Sequence, residues 1–238
     1  MMDRRKLLIG GGAAGLTATG GCASLIGAGP ADQVVWRFGE LDRLAAPLTI
    51  EGAPTGVAGP ASVRGRAMQF DGVADALFIG RHPLAGASTF ALEAVFRPDG
   101  GAFEQRWLHL QSDEVVAPGQ TPVGTRFLFE IRVYGDQWAL DAFVKGPTYN
   151  QTLLFPDRLH PVGRWYHVAQ TYDGTTYRAF VDGVLQGEAA LAFTPQGPGR
   201  ASVGTRINRV NYFNGAIAEA RFTPRFLRPD EFTSVIPG

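Results

Sequence analysis

The stretch RFLFEIRVYGDQWALDAFV (126–144) alternates apolar and polar side chains on both sides of a Gly-Asp pair. Alternation with a period of two places one set of side chains on each face of an extended strand. The same pattern recurs in RAMQFDG (66–72), ADALFIG (74–80), STFALEAVFRP (88–98), RWLHLQ (106–111), WYHVAQTYDG (165–174), TYRAFVDG (176–183) and FNGAIAEARF (213–222). From Gln33 onward no apolar stripe at helical spacing runs longer than about two turns. About a dozen short strands at this spacing predict an all-β fold, an antiparallel β-sandwich or jelly roll.

Three joins carry hairpin chemistry: Gly135-Asp136, Asp173-Gly174 and Asp182-Gly183. Tight hairpin turns need positive φ, which glycine adopts freely and aspartate tolerates. These aspartates therefore read as turn formers first. Segments 51–62, 112–125, 145–162 and 194–200, rich in Gly, Pro, Ser, Thr or Gln, read as loops, and the tail LRPDEFTSV (227–235) as one helical turn. With 45% hydrophobic residues, a chain of 238 residues fills one substantial core. A formal net charge of zero provides no long-range field toward nucleic acid.

Residues 1–22 have a different composition. Arg4, Arg5 and Lys6 precede a weakly apolar Gly/Ala run, which is too short and glycine-rich for a membrane span and reads as an export signal. The Arg4-Arg5 pair resembles a twin-arginine leader, which implies bacterial export of an already folded protein. Thr19-Gly20-Gly21-Cys22 resembles a lipobox, although the pattern prefers leucine where Thr19 stands. That resemblance implies lipidation at Cys22, a tether over 23–32, and a periplasmic or membrane-anchored domain over 33–238. The alternative is a leader cut by the ordinary signal peptidase. Cys22 is the sole cysteine, so the exported domain has no intramolecular disulfide.

Four stretches in order resemble the concanavalin A-like lectin/glucanase superfamily in its laminin-G-like jelly-roll branch. They are GRAMQFDGVADALFI, STFALEAVFRPD, GRWYHVAQTYDGTTYRAFVDGVLQGE and ASVGTRINRVNYFNGAIAEARFTPRFLRPDEF. The resemblance spans about residues 33 to 233. It implies the jelly-roll fold, but this fold hosts lectins, glycosidases, lyases and adhesion modules alike. Relatives that bind calcium use aspartate and main-chain oxygens, which makes Asp71 and Asp75 candidate ligands. Where such relatives often read Ile-Asp-Glu, this chain reads Ile217-Ala218-Glu219.

A paired-carboxylate hydrolase needs two acids flanking the scissile bond. On the strand around Glu130, residues Phe129, Ile131 and Val133 read as core, which leaves Glu130, Arg132 and Tyr134 on the other face. An arginine thus stands where a second acid would be, and no other strand offers acids at i, i+2. His167 lies six residues before Asp173, about 20 Å along an extended strand, too far for direct action. No Gly-x-Ser-x-Gly turn is present, and His82, His109, His160 and His167 show no ligand spacing. No catalytic residue is assigned. Alternation also places Trp107, His109 and Gln111 opposite Leu108 and Leu110. If the two strands are neighbours, Trp107, His109, Glu130, Arg132 and Tyr134 make a sugar-binding face, with Tyr149, Tyr212 and Phe213 as a rim. The expectation is a non-catalytic module that binds a glycan or, second, an envelope protein. The competing class is a glycosidase or lyase using Glu130, Asp141 or His109.

Overall fold

The computed structural model describes residues 32–63 and 65–233, so Arg4, Arg5 and Cys22 lie outside the described residues. In chain order the strands are β1 (Val34–Arg37), β2 (Leu48–Glu51), β3 (Thr55–Ala58), β4 (Arg66–Asp71) and β5 (Ala76–Ile79). Next come β6 (Phe90–Pro98), β7 (Glu104–Ser112), β8 (Arg126–Tyr134), β9 (Gln137–Lys145), β10 (Asn150–Leu154) and β11 (His160–Pro161). The last are β12 (Tyr166–Tyr172), β13 (Thr176–Val181), β14 (Val184–Ala190), β15 (Gly199–Val203) and β16 (Asn214–Thr223). A single 3-10 turn at Pro229–Glu231 occupies the tail segment read as helical.

The strands form two antiparallel sheets. The first runs β14-β13-β12-β6-β16-β4-β3, with β1 also on β16; the second runs β10-β9-β8-β7-β15-β5-β2, with β11 also on β9. Every segment read as alternating is a strand. Two segments read as loops also contain strands: β3 lies within 51–62, and β10 and β11 lie within 145–162. All three are short and end-of-sheet or appended, where little apolar patterning is needed.

The inner faces meet in one core rich in aromatics. Phe96 packs at 5.3 Å from Trp107 and 5.2 Å from Trp138, and Trp107 at 5.6 Å from Phe129, measured between ring centroids. The turn chemistry follows the sequence: Asp182 and Gly183 take φ of 48° and 77°, the left-handed pair that a two-residue hairpin demands. Asp173 accepts from the main-chain N–H of Thr175 and Thr176, each at 2.8 Å. Arg178, with those amides, holds its carboxyl well below the usual range.

His167 is fully buried on the outer face of the first sheet. Its Nε2 lies 3.1 Å from Glu93 Oε2, and its main-chain N–H donates to Asp182. Glu93 also accepts from Thr233, at 2.8 Å from the amide and 3.2 Å from the hydroxyl, while Phe232 packs on both His167 and Phe180. Phe232 and Thr233 are thus fastened over this face, and His167 is a packing and anchoring residue. Glu93→Ala should cost about 3 kcal/mol in urea unfolding, because it strands buried donors. Faster amide exchange at Thr233 should accompany that loss; unchanged stability and exchange would contradict the anchoring role.

Candidate functional site

Strands β7 and β8 are neighbours, as the sugar-binding expectation requires, but their register contains an extra residue. Arg106 faces Glu130 and Leu108 faces Phe129, so Trp107 is a bulge with no partner of its own. The bulge resets the alternation. Glu104 and Arg106 point outward, Trp107 and Leu108 both enter the core, and His109 and Gln111 point outward again. The expectation that Trp107 lies on the outer face is therefore corrected: it is 1% exposed and packed against Phe96 and Phe129. The loop between β15 and β16 docks on the bulge, where Arg106 N–H donates to Asn211 O and Gly204 N–H to Trp107 O.

Cross-strand register places Glu130 between Arg106 on β7 and Asp141 on β9. Arg132 Nη2 lies 2.6 Å from Asp141 Oδ2 and 3.5 Å from Glu130 Oε2, while Arg106 Nε donates to the other Glu130 oxygen. Glu104 joins at 2.7 Å from Arg106 and also accepts from Asn211. Two acids, Glu130 and Asp141, therefore do sit side by side, on different strands where single-strand spacing cannot show them. Burial first, then the neighbouring Glu130 charge, pushes the Asp141 carboxyl up to about 7 against the pull of Arg132.

This network floors one end of the face, and an exposed aromatic pair stands beside it. Phe103 is 52% exposed and Tyr134 36% exposed, with ring centroids 5.4 Å apart and the Arg132 guanidinium 5.8 Å from the Phe103 ring. Phe103, Glu104, Arg106 and Asn211 were missed in the sequence; extending the alternation two residues back from Arg106 would have found Glu104. His109 lies further along the face, 2% exposed, its Nδ1 accepting from Ile207 N–H. Burial and nearby guanidinium groups push it down to about 3, so it is neutral.

The expected rim is corrected in two places. Phe213 is fully buried in the core, and Tyr149 is 7% exposed with its hydroxyl donating to Thr194 O; Tyr212 alone is half-buried at the surface. A cleft of about 490 Å³ lies elsewhere, between Gly52, Gln69, Asp71, Asp75 and Asn214. Asp71 Oδ1 accepts from the amides of Val73, Ala74 and Asp75, and Asp75 accepts from those of Ala53 and Asp71. Among the described residues no three acidic, histidine or cysteine side chains converge as metal ligands. Three of the four carboxyl oxygens of this pair accept from main-chain amides.

The Asp141 shift has a sign. The folded chain keeps a proton that the unfolded chain, with an ordinary value of 3.8, releases as pH rises, so this group lowers stability progressively between about pH 4 and 7. His82 and His109, pushed down to about 4 and about 3, act oppositely, because only the unfolded chain protonates them there. The difference between wild type and Asp141→Asn isolates the carboxyl. In urea unfolding the variant should gain relative stability from pH 4 to 7 and then level off; parallel curves would contradict the assignment.

Comparison with known proteins places the chain. The profile of the concanavalin A-like lectin/glucanases superfamily, laminin G type, matches residues 71–232. No curated protein matches the sequence. Among solved structures, a point mutant of HCR/D is similar at TM-score 0.60 and 9% identity over 84% of this chain, which spans only 50% of that one. Domain 4 of an extracellular GH43 arabinanase from Geobacillus stearothermophilus, in complex with arabinotriose, gives TM-score 0.54 and 14% identity over 85% of this chain and 96% of that one. The CBM40 of the Ruminococcus gnavus IT-sialidase, bound to α2,3 sialyllactose, gives 0.53 and 14% over 78% and 97%. Two sheets in this order, with a core shared between them and a profile over most of the chain, make this protein a member of the concanavalin A-like lectin/glucanase superfamily.

Proposed function

We propose that the protein is an exported, non-catalytic glycan-binding module of the bacterial cell envelope. The observation that carries the reading is the exposed Phe103–Tyr134 pair standing on a buried, internally neutralised ion network. An aromatic ring offers an apolar platform to the face of a sugar, and carboxylates and guanidinium groups beside it offer hydrogen bonds to hydroxyls. The network holds Arg132 in place beside the Phe103 ring before a ligand arrives, which lowers the ordering cost of binding. Two structural neighbours were solved with unlike sugars, arabinotriose and sialyllactose, which supports a sugar ligand on this fold without naming one.

The Glu130–Asp141 pair favours a second reading, hydrolysis by paired acids. Against it, both Glu130 oxygens are paired with guanidinium groups, those of Arg106 and Arg132, and Arg132 also holds Asp141, so both carboxyls are engaged within the network. These groups support a surface and do not act on one.

A glycan array with the purified protein should give binding to a restricted set of polysaccharides. Phe103→Ala and Tyr134→Ala should each weaken it about tenfold, or about 1.4 kcal/mol. Release of reducing ends from a polysaccharide panel, abolished by Glu130→Gln, would establish the enzyme instead. Capture of an envelope protein with no polysaccharide binding would establish an adhesion module. The lipidation reading rests on Thr19-Gly20-Gly21-Cys22. Cys22→Ala should move the protein from the membrane to the soluble fraction, and unchanged partitioning would overturn it.

A further inference from the structure

At the end of the face opposite Phe103 and Tyr134, one cross-strand pair is of like charge. Arg126 on β8 stands directly opposite Lys145 on β9. Like charges in that position repel and destabilise a sheet unless something neutralises them. Among the described residues Arg126, Lys145 and Arg206 form no ion pair. The nearby acids are committed elsewhere: Glu114 accepts from the amides of Thr125 and Gly124 at 2.6 and 2.9 Å, and Glu130 is held by Arg106 and Arg132.

Two further donors lie among these cations without an acceptor. His109, one strand over, is the diagonal neighbour of Arg126, since His109 pairs with Leu128 and Gln111 with Arg126. Its Nδ1 accepts from Ile207 N–H, so the neutral ring carries its proton on Nε2, and that atom is buried with no partner. The same contact brings Arg206, one residue before Ile207, to His109. Arg126 Nε is likewise buried and unpartnered, while its Nη1 donates to Gly124 O at 2.7 Å and its guanidinium lies 5.0 Å from the Phe143 ring. Buried donors are rarely left unpaired, and here two of them coincide with three cations that form no ion pair among the described residues. Burial first, and then the Arg206 charge, lowers the proton affinity of both Arg126 and His109, which is consistent with that crowding.

We propose that this end of the face is an oxyanion subsite, built from Arg126, Lys145, Arg206 and the Nε2–H of His109, that takes a carboxylate or sulfate group carried on a sugar chain. Guanidinium groups match such oxyanions with paired hydrogen bonds, and a desolvated setting strengthens them. Arg126 and Tyr134 are eight residues apart on β8, about 26 Å along the strand. An acidic chain of several sugars therefore spans both the cationic end and the aromatic end, whereas a monosaccharide reaches one. The sugar chain rests on the glycan-binding reading; the oxyanion does not.

The test has two arms. In calorimetry, polygalacturonate (carboxylate) or dextran sulfate (sulfate) should bind the purified protein at least about tenfold more tightly than neutral dextran, and Arg206→Gln, on a half-exposed loop, should remove about tenfold of that preference with an unchanged melting curve. Whichever of the two anionic polymers binds more tightly identifies the group. In nitrogen-15 NMR, acetate and inorganic sulfate alone should shift the His109 Nε2–H signal in wild type and not in Arg206→Gln. Small anions that shift His109 while no polysaccharide binds would uphold the oxyanion site and sink the glycan reading. Neutral and acidic polymers bound equally, with His109 unmoved, would overturn the oxyanion site, leave those donors to water, and keep the glycan reading.

Discussion

At Trp107, β7 carries one residue more than its partner, and the arrangement of the whole outer face depends on that surplus. Without it, residues 104, 106, 108 and 110 would share a side, and Leu108 and Leu110 would face outward with Arg106. The bulge lets Trp107 and Leu108 both fill the core while Arg106 and His109 both face out. It also frees main-chain groups of β7 to bind the β15–β16 loop, through Gly204 and Asn211. That loop brings Ile207 onto His109 and Asn211 onto Glu104, and its Arg209 and Asn211 hold φ near 60°, which asparagine tolerates and arginine adopts at a cost. Core packing and surface chemistry are therefore set by one local irregularity.

The fold was largely legible because alternation and Asp-Gly turns are local properties. Nine apolar-alternating stretches became strands, and the Asp182-Gly183 turn adopted the backbone its residues prefer. The short strands β3 and β10 were not legible, since sheet edges can be built from Gly, Thr and Asn with little apolar content. The site was less legible, for a physical reason. Register decides which residues meet across strands, and nothing within RFLFEIRVY says that Glu130 will face Asp141. Strict alternation puts Trp107 on the wrong face because it cannot anticipate a bulge, and Phe103 escapes it because it precedes the strand proper. His167 and Asp173, six residues apart in an inviting motif, serve the anchored Phe232–Thr233 segment and a turn.

The two ends of the outer face differ in how their charge is handled. Around Glu130 the ions cancel one another in a buried network, and such a network contributes rigidity more than attraction. Around Arg126 the cations form no ion pair among the described residues, although the chain as a whole has no net charge. A neutral protein with a local cationic stripe binds through short-range fit and not through long-range steering.

The most direct measurement is a crystal structure of the protein with its tightest-binding oligosaccharide. The sugar is expected along β8, with a ring against Phe103 and Tyr134 and any acidic group toward Arg126. A sugar seated instead in the cleft between Gln69, Asp71 and Asn214, with the outer face of the second sheet empty, would contradict the assignment of this face as the binding surface.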